Sequence, residues 1–253
     1  MAVSRQEAQW LISENKILVN RSVADKPSRM VSETDLIFVD SEFRWVGRGA
    51  KKLLYALESF GVDPHDKIAF DAGASTGGFT QVLLEKGAKK VVAVDVGKNQ
   101  LDLQLRNDPR VVSFEKVNIK NIQISDRELF LKNNETFEII VGDLSFISLT
   151  LIIPKLVEVV SSEGTQMLLL VKPQFEVSHK IASKFKGVIK DPQYWIESLK
   201  TVYDCFVECS MSVKGAVESP IKGGSGNTEF FLMSKADGDK SITFEQVINT
   251  LRL

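Results

Sequence analysis

Cysteine, histidine and long apolar runs are all scarce in this chain. Two cysteines, Cys205 and Cys209, are too few for a disulfide framework, and two histidines do not suffice for a zinc site. The longest strictly apolar run, Met167 to Val171, is far shorter than the roughly 20 residues of a membrane-spanning helix. The first residues include no apolar segment of the kind found in signal peptides. We therefore expect a soluble, cytoplasmic and metal-free protein.

Charge of one sign is not in excess either. The chain has 253 residues, with 32 Lys and Arg against 33 Asp and Glu, so its formal net charge is −1. This balance excludes a protein that coats nucleic acid through overall basicity, but it permits a local basic face. The length and the 43% of hydrophobic residues suffice for one sizeable core and a small additional module.

The pattern of apolar residues changes near residue 40. Before it, a short amphipathic helix and two β-like pieces, Ile17–Val19 and Leu36–Val39, predict a small α+β module. From Asp66 onward, apolar strands alternate with helices, which is typical of a mostly parallel sheet covered on both faces. We predict the module at residues 1–40, a linker at residues 41–46 and the α/β domain at residues 47–253.

The last part of the chain departs from the alternating pattern. Two strands are predicted at Phe206–Val213 and Phe230–Ser234, and the lack of a helical pattern between them indicates an antiparallel hairpin at one edge of the sheet. Together with the five strands predicted earlier in the chain, these two strands give a seven-stranded sheet. The segment from Glu176 to Asp191, rich in Lys and Ser, is predicted to be a mobile loop over the site.

Polar residues mark the ends of the predicted parallel strands, where ligands of such sheets bind. Asp71–Gly78 reads D-x-G-x-x-x-G-G, in which the carboxylate would repel a pyrophosphate but suits an ammonium group. Asp95 ends the second strand, placed to accept hydrogen bonds from both hydroxyls of a ribose. The pair favours S-adenosylmethionine over NAD, and a glycine turn with Asp71 as a helix cap is the simpler alternative. The candidate donor-binding residues are Asp71, Gly73, Ser75, Thr76, Gly77, Gly78, Asp95, Asn118 and Asp143.

Two lysines and two carboxylates accompany this loop. Asp143 ends the fourth predicted strand and Lys172 ends the fifth, where an unpaired charge is costly. Lys52 lies upstream, and the glycines before Glu229 can bring that carboxylate back over the site. Such a group can handle a proton beside a methyl donor, because desolvation and nearby positive charges favour a neutral lysine. Two structural ion pairs are the alternative interpretation.

These motifs, taken in order, resemble those of the TlyA-type proteins, often labelled hemolysins, which belong to the FtsJ-like ribosomal RNA 2′-O-methyltransferases. The resemblance implies a Rossmann-like class I methyltransferase fold, S-adenosyl-L-methionine as cofactor and the 2′-hydroxyl of a cytidine in ribosomal RNA as substrate. It also implies a catalytic tetrad of Lys52, Asp143, Lys172 and Glu229, with Lys172 as the proton acceptor. The segments that carry it are Gly47–Leu53, Asp143–Ser148, Lys172–Glu176, Ser219–Ile221 and Gly226–Glu229.

The N-terminal residues are similar to the small RNA-binding domain named after ribosomal protein S4. The similar segments are Ser4–Ala8, Lys16–Asn20 and Lys26–Ser28. In that family another amphipathic helix comes before these segments, so we expect a partial domain here. The similarity implies ribosomal RNA or ribosomal subunits as partners. The candidates for phosphate contacts are Arg5, Arg21, Lys26, Arg29 and Arg48.

Two other classes of function stay open at this point. One is a hemolysin or cytolysin, although the sequence contains neither a membrane span nor an amphipathic cationic helix to support it. The other is a non-catalytic RNA-binding protein of ribosome assembly that has kept the fold. The complete tetrad argues against both.

Overall fold

A computed structural model of the protein describes residues 5–13, 15–39, 45–132, 135–251 and 253. The chain forms two compact units, Met1–Arg48 and Gly49–Leu253. Residues 41–44 of the predicted linker lie outside the described residues, and so do Ser4 and Asp40 of the predicted N-terminal module.

The first unit contains one helix and a small antiparallel sheet. Its elements are α1 (Arg5–Ser13), β1 (Ile17–Val19), β2 (Ser22–Val23) and β3 (Ile37–Val39), with the strands in the order β2-β1-β3. Asn20 and Arg21 connect β1 to β2, and both have positive φ, as a two-residue type I′ turn requires. Leu11, Val19 and Ala24 are buried and form the apolar interior of this unit.

The second unit is an α/β domain on one seven-stranded sheet. Its strands are β4 (Ile68–Ala72), β5 (Lys90–Asp95), β6 (Val111–Glu115), β7 (Ile139–Gly142), β8 (Gln166–Val171), β9 (Ser212–Glu218) and β10 (Phe230–Lys235). Their spatial order is β6-β5-β4-β7-β8-β10-β9, with β10 antiparallel to both of its neighbours and the other adjacent pairs parallel. This confirms the predicted mostly parallel sheet with an antiparallel edge hairpin.

Helices follow most of the parallel strands. They are α2 (Gly49–Phe60), α3 (Gly78–Glu85), α4 (Leu103–Arg106), α5 (Arg127–Phe130), α6 (Ile153–Val159), α7 (Pro173–Glu176), α8 (His179–Lys184), α9 (Pro192–Glu208) and α10 (Phe244–Leu251). Every residue of β4 and β7 is buried, because both faces of the central strands are covered. No helix in the described part of the chain is long and apolar enough to cross a membrane.

Two predictions for the last third of the chain are wrong. The strand predicted from Phe206 begins at Ser212, because Phe206 continues the buried face of α9 together with Leu199 and Val202. The segment predicted as a loop between residues 176 and 191 includes a helix, α8, whose first turn is capped by the hydroxyl of Ser178. The C-terminal helix α10 was not predicted.

Candidate active site

The functional residues lie where the parallel strands end. Strands β4, β5, β7 and β8 run in the same direction, so their carboxyl ends meet at one edge of the sheet. The antiparallel strand β10 starts at this edge, since Phe230 pairs with Val171, the last residue of β8. Glu229 therefore enters the sheet beside Lys172, although the two residues lie far apart in sequence.

The four predicted tetrad residues form a continuous chain of alternating charges. Lys52 Nζ is 2.6 Å from Glu229 Oε2 and 3.6 Å from Asp143 Oδ2. Lys172 Nζ is 2.6 Å from Asp143 Oδ1. Lys52, Lys172 and Glu229 are all buried, and mutual pairing is what makes the burial of such charges tolerable. The structure thus brings together all four residues of the predicted tetrad.

Asp143 is the shared carboxylate of this chain. Burial opposes its ionisation, but the positive charges of Lys52 and Lys172 outweigh burial and lower the pKa of Asp143. The contact with Lys172 is an ion pair at short distance without the angle of a well-aligned hydrogen bond. Lys172 Nζ instead donates a hydrogen bond to Ser145 Oγ at 2.8 Å. Asp143 and Ser145 together define the position of the Lys172 amine.

Glu229 depends on a neighbouring glycine for its position. A Cβ atom on Gly223 would collide with Glu229 Oε1, so the carboxylate occupies space that only glycine leaves free. The backbone N–H of Ser219 donates to the carbonyl of Glu229 at 2.8 Å and fixes the chain direction into β10. The glycine-rich segment predicted to return Glu229 to the site does so by this close approach.

A cavity of about 430 Å³ adjoins the tetrad. Of the nine predicted donor-binding residues, five line it: Gly73, Ser75, Asp95, Asn118 and Asp143. Asp71, Thr76, Gly77 and Gly78 do not line it, and Gly77 instead packs against Leu105, which leaves no room for a Cβ atom. The loop after β4 therefore contributes to the cavity through its first half.

The backbone conformation at residue 73 explains why this position is a glycine. Gly73 has φ of +83°, a left-handed conformation that glycine adopts without strain. Its Cβ position would lie 3.2 Å from the carbonyl oxygen of Asp143, closer than side chains normally approach. Glycine at this point brings the β4 loop against the end of β7.

Asp95 ends β5 and faces the cavity, as predicted from its position. Its Oδ2 accepts a hydrogen bond from the N–H of Ser75 at 2.8 Å, and its Oδ1 accepts one from the N–H of Gly97 at 2.6 Å. Each carboxylate oxygen retains a further lone pair, so the side chain can still accept hydrogen bonds from two hydroxyls.

Asp71 lies in β4, two residues before Gly73 of the cavity lining, and is fully buried. Its Oδ2 accepts a hydrogen bond of 2.6 Å from the Thr80 hydroxyl, whereas its Oδ1 has no hydrogen-bond partner among the described residues. Burial, reinforced by the negative charges of Asp143 and Asp95, raises the pKa of Asp71 to about 7. Asp71, Asp95 and Asp143 thus lie at one end of the sheet, where Lys52 and Lys172 balance the charge of Asp143 and Asp71 is only partly ionised near pH 7.

The predicted RNA-contacting residues lie in the first unit. Arg21, Lys26, Arg29 and Arg48 are all exposed. Arg29 also donates a hydrogen bond to the carbonyl of Val23 at 2.8 Å, so it has a structural role as well. Arg5 is the first residue of α1.

Sequence reasoning missed one prominent residue at the site. Phe146 lines the cavity, yet 91% of its surface is exposed, and its φ of +62° is unusual for a bulky residue. Its ring contacts that of Phe175, with centroids 5.1 Å apart. Both residues belong to the sequence motifs noted above, but nothing in the pattern distinguishes an exposed phenylalanine from a core one.

Metal ligands are not clustered near this site. Among the residues that the structure describes, no group of three or more His, Cys, Asp or Glu side chains is arranged to hold a metal ion. Cys205 is buried and Cys209 is partly buried, and burial raises the pKa of both thiols.

Comparison with known proteins adds independent evidence. The FtsJ-like methyltransferase family model matches residues 45–236, and the S4 domain model matches residues 1–37. A relative from Mycobacterium tuberculosis, named 16S/23S rRNA (cytidine-2′-O)-methyltransferase TlyA, is 42% identical over 248 residues, which are 96% of this chain and 88% of the relative. Hemolysin A of Brachyspira hyodysenteriae is 40% identical over 227 residues, which are 90% of this chain and 92% of that protein.

A solved structure agrees with these matches. A protein of Streptococcus thermophilus, described as a candidate hemolysin, superposes with a TM-score of 0.76 at 35% identity, over 98% of this chain and 90% of that chain. The family resemblance seen in the sequence motifs is thereby confirmed. With a family match over more than half of its length and relatives of this similarity, the chain belongs to the FtsJ-like methyltransferase family and carries an S4 domain at its N-terminal end.

Proposed function

We propose that this protein transfers the methyl group of S-adenosylmethionine to the 2′-hydroxyl of a cytidine in ribosomal RNA. The observation that carries the proposal is the buried chain Glu229–Lys52–Asp143–Lys172 beside the cavity. The name of the Mycobacterium tuberculosis relative and the S4 domain support ribosomal RNA as the substrate.

The cavity fits a donor of this kind. S-adenosylmethionine supplies a methyl group on a positively charged sulfur, and it also carries an ammonium group. Asp95 lines the cavity with its carboxylate, and a cationic ligand there would favour ionisation of Asp71, whose pKa is raised by burial and by the negative charges of Asp143 and Asp95. Gly73 and Ser75 would form the backbone wall for the donor, and Asp95 would accept hydrogen bonds from its ribose hydroxyls.

Lys172 would act as the acceptor for the hydroxyl proton. The bond between the sulfur and the methyl group of the donor would break, leaving S-adenosylhomocysteine, as the 2′-oxygen of the target ribose forms its bond to the methyl group. The hydroxyl proton would pass to Lys172 Nζ, which this step requires as a neutral amine. Asp143 Oδ1 lies 2.6 Å from the Lys172 amine, and a bound cation near Asp143 would compete with that amine for the carboxylate. Donor binding would thereby weaken the hold of Asp143 on the amine that accepts the proton.

Lys52 and Glu229 would act as positioning residues. Lys52 holds Asp143 Oδ2 from the side opposite to Lys172, and Glu229 balances the charge of Lys52 at 2.6 Å. Without Glu229, Lys52 would have Asp143 as its remaining carboxylate partner and would draw it away from Lys172. The two residues thus maintain the orientation of the carboxylate that holds the amine.

The proposal is tested by methyl transfer to ribosomal RNA. Purified protein is incubated with radiolabelled S-adenosylmethionine and unmodified ribosomal subunits, and the 2′-O-methylated nucleotides are mapped. Lys172→Ala should lower turnover by about 100-fold to 10,000-fold, the usual contribution of a general base. It should leave donor affinity within a few fold, because the amine does not line the cavity.

Lys200→Ala is the matched control, since Lys200 is an exposed lysine that pairs with Asp204 on α9. It should retain wild-type turnover. Incorporation that Lys172→Ala leaves intact, or incorporation into bases in place of ribose, would contradict the proposal.

The name of the Brachyspira hyodysenteriae relative motivates a second assay, for lysis of red blood cells. Lysis by wild-type protein and by Lys172→Ala alike, with no methyl transfer by either, would assign the protein to the cytolysins.

A further inference from the structure

A run of lysines follows the α7 helix in the second unit. Residues 179–190, here called the basic segment, comprise α8 and the turn after it, and they contain four lysines and no Asp or Glu. All four lysines are exposed, and none forms an ion pair with a residue that the structure describes. In a chain with balanced charge, this is a local concentration of positive charge. The lysines are Lys180, Lys184, Lys186 and Lys190.

The backbone of the basic segment is held firmly. Asn227, only 1% exposed, accepts a hydrogen bond from the N–H of Ile189 and donates one to the carbonyl of Gly187, both at 2.8 Å. The carbonyl of Ile189 accepts a third hydrogen bond from Trp195 Nε1 at 2.9 Å. Buried hydrogen bonds of this kind fix the backbone, so the lysines extend from an ordered support.

The same contacts connect the basic segment to the tetrad. Asn227 precedes Glu229 by two residues, and its carbonyl accepts a hydrogen bond from the N–H of Gly223 at 2.9 Å. Gly223 is the residue that leaves space for the Glu229 carboxylate. One turn of the chain therefore positions both Glu229 and the backbone of the basic segment at Gly187 and Ile189.

We propose that the basic segment binds the phosphate backbone of RNA next to the nucleotide that is methylated. The inference rests on the proposed function and adds to it an RNA-binding surface in the catalytic unit, separate from the S4 domain. Lysines act as point charges for phosphates, and their contacts gain free energy by releasing counterions from the RNA. An RNA that reaches Lys172 also brings its flanking phosphates to this unit, and the four lysines, which form no ion pair with a described residue, are available to contact them.

The test compares two variants with four Lys→Gln substitutions each. One variant carries them at the four lysines of the basic segment. The control carries them at the opposite edge of the sheet, at residues that precede β4, β5 and β7 or follow β10: Lys67, Lys89, Lys132 and Lys240. Both variants lose the same charge. A third variant with Lys→Arg at the four basic-segment positions retains the charge and should behave like wild type.

Binding to in-vitro-transcribed 16S and 23S ribosomal RNA is measured by filter retention over a range of salt concentrations, without donor. Four lost phosphate contacts should reduce the slope of log affinity against log salt by about 3, at roughly 0.7 per contact. With donor present, the KM for RNA should rise about tenfold while kcat stays within about twofold, since binding is lost uniformly. The control should change neither the slope nor the KM.

Equal salt slopes for the two Gln variants would overturn the inference. A second result would also overturn the inference. If the basic-segment Gln variant binds RNA like wild type but, unlike wild type, does not sediment with phosphatidylserine vesicles, the lysines face a membrane. Failure of the proposed function has a different signature: wild-type protein that binds RNA with the expected slope but methylates no ribose refutes the methyl transfer and leaves the RNA contact supported. Thermal unfolding of each variant verifies that it is folded.

Discussion

Replacing Asp71 by asparagine should change how the stability of this protein depends on pH. The Asp71 carboxyl is fully buried, and only its Oδ2 has a hydrogen-bond partner among the described residues, the Thr80 hydroxyl. Burial, together with the negative charges of Asp143 and Asp95, raises its pKa from the ordinary value of 3.8 to about 7. The folded protein therefore holds a proton on Asp71 at a pH where the unfolded chain has lost it.

The size and sign of the effect follow from this difference in pKa. The shift is roughly three units, and each unit corresponds to about 1.4 kcal/mol, so the effect on stability is on the order of 4 kcal/mol. Between about pH 4 and about pH 7 the folded protein binds more protons than the unfolded chain, so the free energy of unfolding falls as the pH rises. Above about pH 7 the ionisation of Asp71 lowers the free energy of unfolding by its full amount, and below about pH 4 it has no effect.

Asp71→Asn removes this dependence because an amide does not ionise. The amide oxygen can still accept the hydrogen bond of Thr80, and its unpaired NH₂ group should cost about 1–3 kcal/mol at every pH. Relative to wild type, the variant should gain about 4 kcal/mol of unfolding free energy between pH 4 and pH 8. Urea unfolding followed by tryptophan fluorescence across this range measures the difference.

Asp108→Asn is the control, because hydrogen bonds from Arg110 lower the pKa of Asp108 and its ionisation gives no penalty at high pH. Stability curves of wild type and Asp71→Asn that run parallel from pH 4 to pH 8 would refute the reasoning. Asp71 would then ionise as an ordinary aspartate, and the rise in its pKa assigned to burial and to the charges of Asp143 and Asp95 would be wrong.

Three further substitutions address the site directly. Lys172→Arg should lower turnover by at least about 100-fold in the ribosomal RNA assay, because a guanidinium stays protonated near neutral pH; retention of most activity would make Lys172 an electrostatic positioning residue. Asp95→Ala should weaken donor binding at least about tenfold by calorimetry, and unchanged affinity would remove its ribose role. Gly223→Ala should displace Glu229 from Lys52 and abolish transfer with donor affinity retained; a fully active variant would show that the Glu229 position is not required.

The strand ends could be predicted from the sequence because their pattern is local. Continuous apolar runs that finish in Asp71, Asp95, Asp143 or Lys172 indicate buried parallel strands with polar residues at one edge, and the structure has them there. The end of α9 could not be predicted in the same way. Phe206 fits a strand or a helix equally well, and only its burial together with Val202 decides for the helix.

Features that depend on contacts between distant segments escaped prediction. Asn227 holds residues that lie 38 and 40 positions away, and no local pattern distinguishes a buried asparagine clamp from a turn residue. Phe146 combines a positive φ with high exposure, and no local sequence pattern indicates either feature. The family resemblance implies that Lys52 and Glu229 belong to one tetrad, but their direct pairing across 177 positions was not predicted.

The tetrad is better explained by chemistry than by stability. A buried chain of ion pairs usually gains little over apolar residues of the same volume, because desolvating each charge offsets the attraction between partners. Here Lys52, Lys172 and Glu229 are all buried, and Asp143 is shared between two lysines, so the loss of one partner leaves another charge uncompensated. The shared carboxylate also lies against a cavity, which a role in stability alone does not require. In the mechanism proposed above, a carboxylate that orients the Lys172 amine and faces a cationic donor would link donor binding to proton transfer at that amine.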